Sequence, residues 1–293
     1  MIITQTPLRI SLAGGGTDFR EFFREHGGAV VSTAIDRFVY CIVKERFDDK
    51  IYVNWSKKEI VESVDQIEHA LVREAMRKTG VTKAVEISFL SDIPAEGSGL
   101  GSSSSVTVGV LNALYHFIGE TPTADQLARE ACEIEIDILG KPIGVQDQYI
   151  AAYGGLRQLR FGPGDKVVAE PLHPSRSALE DMDNMLMSFF TGRTRQADGI
   201  LAQQRSNIAA KVDVLKQMTK QAEQVRQIIE SGDIEQLGRV LHEGWEAKRK
   251  LATGISSSEL DEIYERAVKA GALGGKISGA GGGGFFLLCV PSD

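Results

Sequence analysis

The chain has 293 residues, 42% of them hydrophobic, with 33 basic and 40 acidic side chains and a formal net charge of −7. That length and apolar content build a core without staples and fit two domains. The acidic balance argues against a nucleic-acid or anionic-membrane surface and favours a small-molecule partner. Cys41, Cys132 and Cys289 lie far apart with no CxxC spacing, so neither a disulfide framework nor a zinc site is indicated and buried, reduced thiols are expected. No basic segment followed by a long apolar run opens the chain, and nowhere do eighteen apolar residues follow one another. A cytoplasmic protein, neither secreted nor membrane-spanning, is expected.

The first half alternates short strands with helices. The runs "IITQTPLRISLAG", "GAVVSTAI", "RFVYCIVKERF", "KIYVNW" and "AVEISFL" are rich in β-branched or aromatic residues and bounded by turn residues, which predicts strands. Between the last two, Ile60, Val64, Ile67, Leu71 and Ala75 recur at helical spacing and predict a helix over 60–76. Two more helices are predicted over 104–117 and 123–139. The second has Thr123 as N-cap, Gln126 three residues later and Gly140 just past its end.

After "GGLRQLRF" and "KVVAEPL" the composition shifts. Residues 171–183 are polar and carry two prolines, which marks a boundary between domains at 1–175 and 176–293. Beyond it come one apolar strand, "NMLMSFF", a helical region over 195–251 broken at Ser231-Gly232-Asp233, and a helix over 258–270. Helices segregated from antiparallel-looking strands predict an α+β fold rather than a doubly wound α/β one.

Three glycine-rich segments punctuate this pattern: "LAGGGTD" at 12–18, "EGSGLGSSSS" at 96–105 and "SGAGGGG" at 278–284. None is a Walker A loop, because neither "LGKPIG" nor "GGKISG" follows Gly-Lys with Ser or Thr. Gly279, Gly281 and Gly284 fit GxGxxG literally, but the strand "FFLLCV" follows where a dinucleotide fingerprint must open a helix. The middle segment does open a helix. Unpaired N–H groups and the positive helix end meet there, which favours an anion and above all a phosphate. Gly97, Gly99 and Gly101 let the backbone approach a triphosphate, and hydroxyls at 102–105 can bond its oxygens or ligate Mg²⁺.

The order "PLRISLAGGGTD", "GSGLGSSSS", "GVQDQY" and "KISGAGGGGFF" resembles the GHMP superfamily of small-molecule kinases: galactokinase, homoserine kinase, mevalonate kinase and phosphomevalonate kinase. The resemblance spans residues 7–286. It implies an N-terminal domain like domain 2 of ribosomal protein S5, a ferredoxin-like C-terminal domain, and an active site in the cleft between them. It implies ATP and Mg²⁺ as cofactors and a small-molecule sugar or sugar phosphate as partner, with no nucleic acid or membrane; a homodimer is compatible with it. Members of the family generally continue past the "FFLLCV" strand, so the C-terminal sheet is expected to be truncated or completed differently.

By that resemblance ATP is bound by Gly97, Ser98, Gly99, Leu100, Gly101, Ser102, Ser103 and Ser104, and Mg²⁺ by Ser103 and Glu135. Glu133 and Asp137, on the same helix as Glu135, are expected on a solvated face. Asp147 of "GVQDQY" matches the family's catalytic aspartate, to accept the acceptor proton or align the hydroxyl. Arg9 matches the active-site cation, stabilising charge on the γ-phosphate. Asp18, with Gly16 and Thr17, corresponds to the segment that reads sugar hydroxyls, since a carboxylate accepts two hydroxyl protons. Gly281 shapes the substrate pocket.

"PLRISLAGGGTD" with "STAIDRFVY" is most similar to the branch that phosphorylates the anomeric C1 hydroxyl of D-glycero-D-manno-heptose 7-phosphate. The cations expected to hold the 7-phosphate are Arg193 and Arg195. The alternatives are a 1-kinase for an unphosphorylated hexose such as fucose or galactose, and a non-catalytic sugar or nucleotide sensor on the same fold.

Overall fold

The computed structural model describes residues 1–93, 97–194 and 197–291. Its first part is built on β1 (Ile2–Ala13) and β2 (Gly28–Glu45), which pair antiparallel. The two strands predicted within 28–47 are one 18-residue strand. Gly28 to Thr33 pairs with β6 (Leu156–Gly162), and Val39 to Glu45 pairs with β5 (Val85–Ser91). With β3 (Ile51–Asn54), β4 (Lys58–Val61) and β7 (Lys166–Pro171), the sheet has seven strands in the order β4-β3-β5-β2-β6-β7, and β1 is laid on β2.

The helix predicted over 60–76 is corrected. Lys58–Val61 pairs with β3 as an edge strand, which leaves Ile60 49% exposed. A turn at Val64–Gln66, closed by a Ser63/Gln66 capping box, separates it from α2 (Ala70–Thr79). His69 starts that helix by accepting the Val72 N–H on Nδ1. The apolar spacing straddled two elements, with Ile60 on the exposed face of the edge strand and Leu71 and Ala75 on the buried face of α2.

One face of the sheet is covered by α3 (Ser102–Phe117), α4 (Ala124–Cys132) and α5 (Gln146–Tyr153), while α1 (Arg20–His26) packs beside β6. Gly109 brings α3 down onto β1: Thr4 Oγ1 donates to its carbonyl at 2.9 Å, and a Cβ there would lie 2.8 Å from Thr6 Oγ1. The helix predicted over 123–139 starts at its Thr123 cap and then widens into a π turn over Glu133–Ile138.

The second part carries α6 (Arg176–Met185), β8 (Leu186–Phe190), α7 (Asp198–Ser206), α8 (Val212–Ser231), α9 (Glu235–Lys248), α10 (Ser258–Lys269), β9 (Gly274–Ile277) and β10 (Phe285–Cys289). Its sheet is antiparallel in the order β8-β10-β9. The polar stretch 171–183 is not all loop. Ser175 caps α6 by accepting the Ala178 N–H, and Ala178, Met182 and Met185 turn into the core. Ala222, Val225 and Ile229 of α8 and Leu237 and Leu241 of α9 pack with Leu12, Ala29 and Val31 of the large sheet, so the two parts share apolar contacts. The three cysteines are buried and free. Among the described residues no helix is long and apolar enough to cross a membrane.

Candidate active site

The pairing of β1 with β2 slips between Pro7 and Arg9. A regular strand sends neighbouring side chains to opposite faces, but a bulge re-aims them. Leu8 packs with Leu100 and Val106, and Arg9 reaches the same neighbourhood. Arg9 Nε donates to Asp147 Oδ1 at 2.7 Å, Nη2 to Asp147 Oδ2 at 2.5 Å and Nη1 to the Gly99 carbonyl at 2.7 Å. Asp147 comes from the first turn of α5. The Arg9 side chain is 6% exposed and that of Asp147 23%, so the carboxylate remains reachable from the cavity. Arg9 occupies two of its roughly four acceptor positions.

Beside this pair, α3 begins at Ser102, two residues earlier than predicted. Gly101, at φ 80°, is its N-cap. Ser105 makes the first intrahelical bond, to the Gly101 carbonyl, so the N–H groups before it form the open end that attracts an anion. Ser98 and Ser102 share a hydroxyl hydrogen bond at 3.2 Å. Leu100 is buried and its carbonyl accepts the Arg9 N–H at 3.0 Å, a packing role. A Cβ on Gly99 would stand 2.5 Å from the Ser278 carbonyl oxygen. The second and third glycine segments therefore meet backbone to backbone.

Glu135 is fully buried at the π turn. Its Oε2 accepts from Ser104 Oγ at 2.7 Å and from Gln148 Nε2 at 2.8 Å, and its Oε1 accepts from the Ser103 hydroxyl and from Lys141 Nζ at 2.9 Å. Lys141 Nζ also lies 2.5 Å from Ser103 Oγ. An ammonium thus stands between a hydroxyl and a carboxylate oxygen, a hard donor set of the kind Mg²⁺ takes, so the residues fit that ion. Among the described residues no three His, Cys, Asp or Glu side chains gather as a metal site; the remaining ligands would be water and phosphate oxygens. Glu133 and Asp137 leave the cavity for Lys78 and Arg20.

Asp18 is buried, and burial pushes its carboxyl above the usual range. It accepts from Gly16 N–H at 2.8 Å, Gln146 Nε2 at 3.0 Å and Gln146 N–H at 3.3 Å, and it lines the cavity. Gly16 lines the cavity. Thr17 does not: its hydroxyl is clipped to the Ala29 backbone, donating at 3.0 Å and accepting at 3.2 Å. Gly281 packs on Ile255 behind Gly279 and Ala280, which do line the cavity. Arg193 points away. Its guanidinium is taken by Glu259 on the surface, Nη2 to Oε1 at 2.9 Å, and it is not among the lining residues. Arg195 lies outside the described residues.

These groups open onto one cavity of about 1150 Å³ between the two parts of the molecule. Sequence reasoning missed several of its walls. Trp55, His69 and Phe89 form an aromatic cluster, with ring centroids 4.8 Å apart for Trp55–His69 and 5.8 Å for His69–Phe89. Burial holds the His69 imidazole below its ordinary range. Lys248 and Lys276 line the cavity as well, Lys248 at the Gly279 carbonyl beside Gly99 and Lys276 at the Leu12 carbonyl. A signal for Lys248 was available: it continues the apolar stripe Leu237, Leu241, Trp245 at three- and four-residue spacing, where a charge is out of place.

Residues 66–155 match the model of the GHMP kinases N-terminal domain, and 222–293 match that of the GHMP kinases C-terminal domain. The chain is 29% identical to a D-glycero-alpha-D-manno-heptose 7-phosphate kinase of Campylobacter jejuni, over 99% of this chain and 89% of that one. It is 27% identical, over 99% of its length, to an L-fucokinase/L-fucose-1-P guanylyltransferase of Bacteroides fragilis, of which it covers 34%. The crystal structure of a D-glycero-D-manno-heptose 1-phosphate kinase from Bacteroides thetaiotaomicron superposes with a TM-score of 0.81 at 27% identity, covering 99% of this chain and 88% of that one. The chain belongs to the GHMP kinase family. Within it, this is an ATP-dependent sugar kinase.

Proposed function

We propose that the chain transfers the γ-phosphoryl group of ATP to the C1 hydroxyl of D-glycero-D-manno-heptose 7-phosphate, giving the 1,7-bisphosphate and ADP. The observation that carries the chemistry is the forked Arg9–Asp147 pair beside the open N-terminus of α3. Segment 97–104 cradles the phosphates on N–H groups and hydroxyls, and the aromatic cluster of Trp55, His69 and Phe89 offers faces on which a base can stack. Ser103 and Glu135 would hold Mg²⁺, which when bound would supply positive charge to the phosphate oxygens. Arg9 fixes the orientation of the Asp147 carboxylate and sets a guanidinium charge near the transferring group. Asp147 accepts or aligns the acceptor hydroxyl proton with the positions Arg9 leaves free.

The sugar is supported by the "GGGTD" segment with its buried Asp18, and by the similarity to the heptose 7-phosphate kinase of Campylobacter jejuni. A second reading, a 1-kinase for an unphosphorylated sugar, is favoured by the similarity to the Bacteroides fragilis fucokinase. A coupled ADP-release assay over heptose 7-phosphate, the parent heptose, L-fucose and D-galactose separates them. The highest kcat/KM is expected for heptose 7-phosphate; equal or better turnover of fucose or galactose replaces the first reading with the second.

A further inference from the structure

Lys248, at the C-terminus of α9, and Lys276, in the middle of β9, are both 6% exposed. Both line the cavity. Among the described residues neither has a carboxylate within ion-pair distance. Each ammonium carries three donors but finds one acceptor among the described residues: Lys248 donates to the Gly279 carbonyl, and Lys276 to the Leu12 carbonyl at 3.5 Å. A buried charge without a counter-charge is costly, so such groups are ordinarily paired. Here two stand together.

The surroundings sharpen the asymmetry. Arg9 is committed to Asp147, and Asp18 is held by Gly16 and Gln146. Burial and the positive charges of Lys248 and Arg9 hold the Lys276 ammonium well below the usual lysine range. Next to Leu12, the buried Ser11 hydroxyl, also on the cavity wall, has no hydrogen-bond partner among the described residues. Unused donors are what a phosphoryl oxygen would satisfy, and the expected alternative, Arg193, is occupied by Glu259.

We propose that Lys248 and Lys276, with the Ser11 hydroxyl, form the subsite for a phosphoryl group that the sugar already carries when it enters. This rests on the reading of the cavity as that of a sugar kinase. The subsite lies on the cavity wall at the third glycine segment, where Lys248 holds the Gly279 carbonyl beside Gly99, and it makes the anionic substituent of the acceptor part of its recognition.

Isothermal titration of the full chain tests it, with D-glycero-D-manno-heptose 7-phosphate, the unphosphorylated heptose, and Mg²⁺ with a non-hydrolysable ATP analogue as separate titrants. Wild type is expected to bind the 7-phosphate roughly 10- to 100-fold more tightly than the parent sugar, the range for hydrogen bonds to a charged group. Lys276→Met should lose most of that preference, Lys276→Arg should keep part of it, and affinity for the ATP analogue should hold. Since Lys276→Met removes a buried amino group that has a single long hydrogen bond and no counter-charge, its melting temperature should not fall. Retained preference in Lys276→Met overturns the subsite alone; a loss that falls on the ATP analogue instead reassigns the lysines to the nucleotide and also overturns it. Equal binding of both heptoses by wild type overturns the subsite and the 7-phosphate assignment together, while ADP release on an unphosphorylated sugar would leave the sugar-kinase reading standing.

Discussion

Arg9 grips both oxygens of Asp147, Nε on Oδ1 at 2.7 Å and Nη2 on Oδ2 at 2.5 Å, across 138 positions of sequence. The pair joins the first strand to the first turn of α5, and it stands where β1 bulges. Asp147→Asn keeps the shape but sets an NH₂ group against a guanidinium N–H. The expected outcome is a fall in kcat of about 10²- to 10⁴-fold, with a smaller change in KM for the sugar. Steady-state kinetics check it; equal kcat in both proteins would remove Asp147 from the chemistry.

Lys141 bonds both Ser103 and Glu135, the two residues proposed to hold Mg²⁺. Lys141→Met leaves a fully buried carboxylate with one donor fewer, which should cost about 1–3 kcal/mol of stability. Mg²⁺ with a non-hydrolysable ATP analogue should then raise the melting temperature of the variant by more than that of wild type. Identical shifts in the two proteins would contradict a shared cation position.

Gly99 stands at φ 75°, with the Ser278 carbonyl oxygen 2.5 Å from where its Cβ would be. Gly99→Ala is expected to cost about 2 kcal/mol or more, since an L side chain is strained at that φ and the oxygen is backbone that cannot swing away. Because Gly99 also accepts from Arg9, KM for ATP should rise in the same variant. Denaturant titration and kinetics on one preparation read both.

What could be read from the sequence was what is local. The turn 97–101 and the helix after it lie in one stretch, so its glycines and serines state a glycine turn that opens a helix without tertiary information. Asp147 and Arg9 were found as members of separate motifs, and only the fold shows that they touch. Lys248 and Lys276 come from a helix end and a four-residue strand. Neither segment hints at the other, and a lysine is ordinarily a solvated residue. The helix over 60–76 failed because period alone cannot see that Lys58–Val61 has β3 as a hydrogen-bonding partner.

Lys248 gives stability a pH dependence. Burial, then the Arg9 charge, hold its ammonium at about 8 against an ordinary 10.5, while Asp18 and Asp147 pull it upward by less. Between those values the unfolded chain keeps a proton that the folded chain has released, so stability rises with pH across that window; the full cost, about 3 kcal/mol, is present below it. Chemical denaturation of wild type and Lys248→Met at pH 7 and pH 10 is expected to show wild type gaining roughly 2–3 kcal/mol relative to the variant. A constant difference would mean that Lys248 titrates as a solvated lysine.

The central claim is that the Arg9–Asp147 pair directs a phosphoryl group onto C1 of a phosphorylated heptose. Phosphorus NMR of the reaction of wild type and Asp147→Asn with ATP, Mg²⁺ and D-glycero-D-manno-heptose 7-phosphate tests it most directly. The account predicts, for wild type, one new sugar-phosphate signal coupled to the anomeric proton, growing in step with ADP, and no such signal from the variant over the same time. A new phosphate on any other carbon, or the same signal at the same rate from Asp147→Asn, would contradict it.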